Sequence, residues 1–338
     1  MPPKPIYALL ACAGLALLTA GSLPAQDIGN PSGFEEKTDQ KTKIERKHPS
    51  MFHRPEKATP SEQLAYAASL AREGRPRAAR KQYNALVHEW HGSAEAPAAQ
   101  ESYARLLMER EDYADAFDEF QYLFEYFAGS FKHDAILDAQ FKLANAVRTE
   151  RHAKFLFFGG VTAPERALPM FTQIVRNAPQ WDRAPEAQLM VGAIHEEQKD
   201  YALAATAYET VQLRYPSSPA AEEAAFARAR CLYRLAKASP RDEEATRNVI
   251  AAVSVYLRDY PSAPNVAEAR RYFSEMKDHL ADLYYERAVF YDEAARRPES
   301  AIIAYRDFIN HFPSSDRRRT AEGRIKALQQ QLEQPNEN

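Results

Sequence analysis

The stretch Asp200-Tyr-Ala-Leu-Ala-Ala-Thr-Ala-Tyr-Glu-Thr-Val-Gln-Leu-Arg-Tyr-Pro216 sets the frame for the whole chain. Ala204, Tyr208, Val211 and Tyr215 are spaced four, three and four apart, which places them on one face of a helix. Pro216 stops that helix, because it has no amide proton and disfavours helical geometry in the residue before it. Twelve residues before Ala204 stands Gly192, inside a second helical run over residues 185–198. The spacing predicts two antiparallel helices whose backbones come close where the small residues lie.

The same frame recurs along the chain. Small and aromatic residues four apart are found at Ala79/Tyr83, Ala116/Phe120, Ala167/Phe171, Ala204/Tyr208 and Ala301/Tyr305, with a degenerate copy at Val249/Val253. The copies at Ala167, Ala204, Val249 and Ala301 each run to a proline twelve residues on, at Pro179, Pro216, Pro261 and Pro313. Successive first positions are 37, 51, 37, 45 and 52 residues apart. Two of these intervals sit near the ~34 residues of a tetratricopeptide repeat, and three carry insertions. One such stripe would mean only a buried helix face. Six in a common register predict an all-α solenoid of tetratricopeptide-type hairpins, five to six in number, wound as a curved superhelix.

Composition agrees with an ordinary helical protein and narrows its partners. The 338 residues are 45% hydrophobic and 27% charged, and strand-like alternation is sustained nowhere. The formal charge is -3, and removing Lys4 with the leader would leave -4, so no global footprint for nucleic acid exists. Residues 1–25 read as an export signal: Lys4, then an apolar run from Ile6 to Ala20, then Leu23-Pro24-Ala25 before Gln26. Residues 26–59 are polar and aperiodic and are expected to form a flexible, solvated linker, with Lys41, Lys43, Arg46 and Lys47 exposed. Leu9-Leu10-Ala11-Cys12 loosely resembles a lipid-attachment site. Only eleven residues precede Cys12, however, and apolar residues continue past it, which argues against a lipid there. Membrane association is therefore either peripheral or through a lipid on Cys12. Cys231 reads as a small buried hydrophobe.

Residues 60–313 hold the repeats, residues 314–333 an amphipathic capping helix, and residues 334–338 a frayed tail. The helix near residues 112–127 carries Tyr113, Phe117, Phe120, Tyr122, Phe124, Tyr126 and Phe127, more aromatic rings than one face holds. Part of that surface is expected to meet another element or a ligand. A greasy insertion, Phe155-Leu-Phe157-Phe158-Gly159-Gly160, interrupts the third repeat; insertions in solenoids tend to map to one face, often the binding face. It is no phosphate loop, because no Gly-Lys-Ser/Thr follows. His88 and His91 share a helix face but lack further metal ligands in sequence, and His195-Glu196-Glu197 lacks a zinc protease's second histidine. No nucleophile turn or dinucleotide fingerprint is present, so no cofactor and no enzyme activity are expected. Arg270, Arg271, Arg296, Arg297, Arg317, Arg318 and Arg319 cluster in the last third near helix ends. They either dock an acidic partner or serve as ordinary cations near helix C-termini.

Leu280-Ala-Asp-Leu-Tyr-Tyr-Glu-Arg-Ala-Val-Phe-Tyr291, followed by Ala301-Ile-Ile-Ala-Tyr-Arg-Asp-Phe-Ile-Asn-His-Phe-Pro313, resembles the BamD (YfiO) family of periplasmic tetratricopeptide lipoproteins. Tyr256-Leu-Arg-Asp-Tyr-Pro261 and Phe157-Phe158-Gly159 are similar to it as well, and the likeness covers residues 60–313. The resemblance implies a five-repeat rod that helps insert β-barrel proteins into the outer membrane. It implies unfolded barrel precursors at the N-terminal repeats, near Tyr83, Trp90 and Phe120. It implies a POTRA-bearing barrel insertase at the C-terminal repeats, near Arg270, Arg271, Arg317, Arg318 and Arg319. It also implies export to the periplasm, at the inner face of the outer membrane. The family is lipidated on a cysteine at the end of its leader, whereas Cys12 lies in mid-leader. A scaffold of the Tol-Pal envelope system is the alternative; it shares the repeats but adds an N-terminal coiled coil, and no sustained heptads precede residue 60.

Overall fold

The computed structural model describes residues 44–152 and 161–333. Export segment, Cys12, Phe157, Phe158, Gly159, Gly160 and tail 334–338 all lie outside these residues. Thirteen α-helices follow one another among the described residues: α1 (Pro60–Arg72), α2 (Pro76–Glu89), α3 (Ala96–Glu109), α4 (Tyr113–Tyr126), α5 (His133–Thr149), α6 (Leu168–Asn177), α7 (Ala184–Glu197), α8 (Tyr201–Arg214), α9 (Ala220–Ala238), α10 (Glu243–Asp259), α11 (Val266–Val289), α12 (Pro298–His311) and α13 (Arg318–Glu333). Each packs on the next in sequence, so α1 to α12 form six hairpins and α13 covers the last.

The register of small and aromatic residues has a simple physical basis. The second helix of every hairpin lies between its own first helix and the first helix of the next, so one of its faces must be buried twice over. Ala79, Ala116, Ala167, Ala204, Val249 and Ala301 are fully buried, and Tyr83, Phe120, Phe171, Tyr208, Val253 and Tyr305 are at most 5% exposed. Gly192 of α7 shows why a small residue is needed opposite. A Cβ added there would come within 2.6 Å of Cδ1 and Cε1 of Tyr208.

Four of the six turns inside the hairpins share one device. Gly74, Glu111, Lys199 and Arg296 have φ of 72°, 69°, 66° and 49°. The N–H of the following residue then reaches back: Arg75 to the Leu70 carbonyl (2.9 Å), Asp112 to Leu107 (3.1 Å), Asp200 to His195 (2.9 Å) and Arg297 to Tyr291 (2.9 Å). A left-handed residue past the helix end satisfies carbonyls that would otherwise be orphaned. Only Gly74 adopts it without a Cβ penalty.

Two features depart from the reading of the sequence. Ile44 to Thr59 is laid against the first hairpins rather than free in solvent, because Lys47 and Ile44 find partners there. Ala167 closes a 3₁₀ turn (Pro164–Ala167) ahead of α6, and the insertion before it is bracketed by a two-residue antiparallel pair, Arg151–His152 with Val161–Thr162. The stretch after Pro264 is a single 24-residue helix prolonged by a π turn, Phe290–Ala294.

Carboxylates with little exposure also tie a hairpin to the element that follows it. Glu196 of α7 accepts from Tyr208 (2.9 Å) and, in a fork, from Arg230 of α9 (2.6 and 2.8 Å). Burial alone would raise the Glu196 carboxyl, but the bonds from Arg230 and Tyr208 outweigh it and hold the group below the usual range. Asp292 repeats the pattern, accepting from Tyr305 (3.1 Å) and from Arg324 of α13 (2.8 and 2.8 Å). Cys231 packs beside Glu196, and burial pushes its thiol up to about 12, which makes it inert. The buried apolar side chains fall into four successive clusters along the chain, of which the last two meet within α11.

Gly192→Ala is expected to destabilise the fold by about 1–3 kcal/mol through overpacking against Tyr208. A thermal melt followed by far-UV circular dichroism checks this; an unchanged midpoint would mean the α7–α8 contact gives way without cost.

Candidate protein-binding surfaces

The first surface is the seam between residues 44–57 and the first two hairpins. Tyr122 stands on the buried face of α4, and its hydroxyl accepts the Lys47 N–H at 2.9 Å and lies 2.7 Å from His91 Nε2. One turn further on, the Tyr126 hydroxyl donates to the Ile44 carbonyl at 2.6 Å. His48 offers its carbonyl to His88 Nδ1 at 2.6 Å, and His53 stacks on the His88 ring at 4.0 Å. Several residues further along, Gln63 Oε1 accepts the N–H groups of Glu56 and Lys57. The segment thus lies extended, with its main chain bonded to side chains of α1, α2 and α4.

Lys47 is the deepest side chain of the seam. Its Nζ donates to Glu119 Oε2 (2.6 Å) and Gln100 Oε1 (3.0 Å), and lies 4.8 and 4.9 Å from the Tyr103 and Tyr122 ring centres. Burial lowers the Lys47 pKa, opposed by the Glu119 charge and hydrogen bond. Gln100 also donates to the Glu119 carbonyl (2.8 Å) and carboxylate (2.6 Å), so the acid is oriented by the α3–α4 hairpin itself. Beside the seam opens a groove of about 930 Å³, lined by Arg46, His91, Pro97, Glu101, Tyr126 and Phe127. Met51 and Phe52 project from a turn of the segment, 78% and 86% exposed.

This seam accounts for the aromatic surplus of α4. Tyr83 and Phe120, placed by resemblance at a substrate-binding end, are core residues, and Trp90 is half-buried against the same core. The rings that face outward toward the segment are Tyr122 and Tyr126. No sequence period marks residues 44–57; the signal that was there to read is the ring surplus of α4.

The second surface carries the arginines. Arg270 and Arg271 lie in the second turn of α11, and Arg317, Arg318 and Arg319 at the start of α13. Both groups therefore sit toward helix N-termini, where the helix dipole disfavours cations, and C-terminal capping does not explain them. Arg317 pairs with Asp282 (2.8 Å) and lies over the Tyr285 ring, Arg318 pairs with Glu322 (2.8 Å), and Arg271 approaches Glu268 (3.3 Å). Arg270 and Arg319 are exposed and make no ion pair among the described residues. Asp282 lies eleven residues beyond Arg271, about 16 Å along α11, so the two groups form separate patches rather than one.

No group of three or more His, Cys, Asp or Glu is placed to hold a metal among the described residues, and none of their helices is long and apolar enough to cross a membrane. A run of helical hairpins with small-to-aromatic contacts between their helices is a tetratricopeptide-type repeat protein. Residues 164–337, just over half of the chain, match the family described as YfiO, outer membrane lipoprotein. The chain belongs to that family. It is 26% identical over 145 residues to an outer membrane protein assembly factor BamD from Caulobacter vibrioides, a match spanning 41% of this chain and 48% of that one. The chain thus spans about half the length of this curated relative. Among solved structures, a tetratricopeptide repeat protein from Parabacteroides merdae is similar at 13% identity, covering 80% of this chain and 98% of its own, with a TM-score of 0.29. A thermophilic repeat protein from Thermus thermophilus matches 64% of this chain and 98% of its own at 14% identity and a TM-score of 0.26.

The seam is expected to loosen in acid. Burial lowers the pKa of His88, helped by the His53 and Lys47 charges and opposed by the His48 carbonyl and Glu119. Burial also lowers that of His91, with Arg46, His48, Lys47 and His88 acting in the same direction. Both folded values lie below the ordinary 6.5, so the unfolded chain binds protons first. Their contribution to stability is complete above about pH 6.5 and is lost as pH falls toward the depressed folded values. Amide exchange at Lys47, corrected for its intrinsic rate, should be less protected at pH 5.5 than at 7.5, and His91→Gln should weaken that dependence.

Proposed function

We propose that this chain is an exported, non-enzymatic scaffold that binds proteins at the inner face of the outer membrane and takes part in the assembly of β-barrel proteins there. Membership of the YfiO family, matched over the C-terminal hairpins, is the observation that carries this reading. The name of the Caulobacter relative, an outer membrane protein assembly factor, supports it. On this reading a POTRA-bearing barrel insertase docks near Arg270, Arg271, Arg317, Arg318 and Arg319, and unfolded barrel precursors meet the N-terminal hairpins. Arginines placed against the helix dipole favour the first of these contacts, because a planar guanidinium pairs well with carboxylates of an acidic partner. Attachment to the membrane is through such protein contacts or a lipid on Cys12.

In-cell crosslinking of the tagged chain, with mass spectrometry of its partners, tests the proposal. A barrel protein with POTRA repeats, linked near residues 270–319, is the expected partner. Arg318→Glu with Arg319→Glu should reduce its yield about tenfold, as reversal of rim charges slows association. Tol-Pal or peptidoglycan partners in its place would overturn the assembly role.

A further inference from the structure

We propose that the face formed by α2, α3 and α4 is a receptor for an extended, lysine-bearing peptide, and that residues 44–53 are an internal ligand which such a peptide can replace. The segment contributes no helix or strand of its own. What holds it are terminal groups of side chains on the two hairpins. Tyr122 and Tyr126 take main-chain atoms at Lys47 and Ile44, and His88 meets the His48 carbonyl. Hydrogen bonds to main-chain atoms accept any sequence that lies extended, as in other peptide-recognition grooves. Among side chains, Lys47 makes the charged contact, while Ile44 packs on the core and His53 stacks on His88.

The lysine site has the character of a recognition site built in advance. Glu119 supplies the countercharge, and Gln100 fixes Glu119 from α3 without help from the segment. Tyr103 and Tyr122 present ring faces to the ammonium group. An acid held beside two aromatic rings selects a cation, and a compact ammonium on a slender stem suits a place where the Lys47 side chain is only 12% exposed. The groove of about 930 Å³ continues from Arg46 past His91 toward Tyr126, so the face extends beyond its internal occupant. Residues 56 and 57 are held separately by Gln63, and Glu56 also by Tyr66 and Gln82. Residues 44–53 can therefore leave while the start of α1 stays anchored. This receptor–ligand pair is independent of the assembly role proposed above, which the crosslinking experiment tests on its own.

Fluorescence polarisation on the full chain tests the exchange, with a labelled peptide of residues 44–53 and its Lys47→Ala counterpart as probes. The chain carrying Lys47→Ala should bind the lysine peptide at least about tenfold more tightly than the unaltered chain, because its own ligand is weakened. The alanine peptide should bind neither chain, and Glu119→Gln added to Lys47→Ala should abolish binding of the lysine peptide. Equal binding to the altered and unaltered chains, or equal binding of the two peptides, would overturn the proposal, as would no binding to any chain. Far-UV circular dichroism establishes that each variant keeps its helices, and Lys47→Gln replaces Lys47→Ala if that variant loses them.

Discussion

The stack of hairpins depends on close packing at one buried position of each second helix, filled by an aromatic ring in five hairpins and by Val253 in the sixth. Tyr208 against Gly192 is its clearest instance, with no room for even a methyl group between them. A close approach of this kind gives more dispersion contacts per residue than a wider spacing filled by flexible side chains. It also fixes the register of the two helices, since sliding either by one turn would put a bulky residue where only glycine fits. The carboxylate clamps at Glu196 and Asp292 then act at the next level, tying each hairpin to the element that follows. Removing one partner from such a clamp leaves a buried charge unpaired, so these sites are specified more strictly than surface ion pairs.

Much of this was legible in the sequence, because a helical repeat writes its packing into a short period. Ala204 and Tyr208, four residues apart and eight before a proline, state both which face is buried and where the helix stops. The same logic left the number of hairpins at five to six, the open case being the degenerate copy at Val249 and Val253, whose side chains fill the same buried positions. What escaped was the part with no period. The bonds of residues 44–48 join positions 40 to 82 apart, as between Ile44 and Tyr126, and irregular chain leaves no rhythm that betrays its partners. The surplus of rings on α4 announced that something covered that helix, without saying what.

The arginines illustrate a different limit. Sequence placed them near helix ends, but the sign of the dipole interaction depends on which end, and that follows from where α11 and α13 begin. Arg270 and Arg271 prove to lie inside the helix that Val266 opens, and Arg318 opens its own. Electrostatics here is a matter of a residue or two. Lys47 shows the same sensitivity in its seam: read as a solvated linker residue, it is held by Glu119 and two rings that close around it.

The division of the apolar interior into four successive clusters has a consequence for how the molecule responds to stress. Stability in such an array is a sum of local terms and nearest-neighbour terms rather than one all-or-none quantity. α11 joins the last two clusters through Met276 on one side and Tyr284 on the other, so it is the element through which they cooperate. A load applied at α13 would be borne by the bidentate grip of Arg324 on Asp292 together with the Arg317–Asp282 pair and the buried Ala321 and Leu328. The chain would therefore come apart cluster by cluster from the loaded end, behaving mechanically as a zipper rather than as a block.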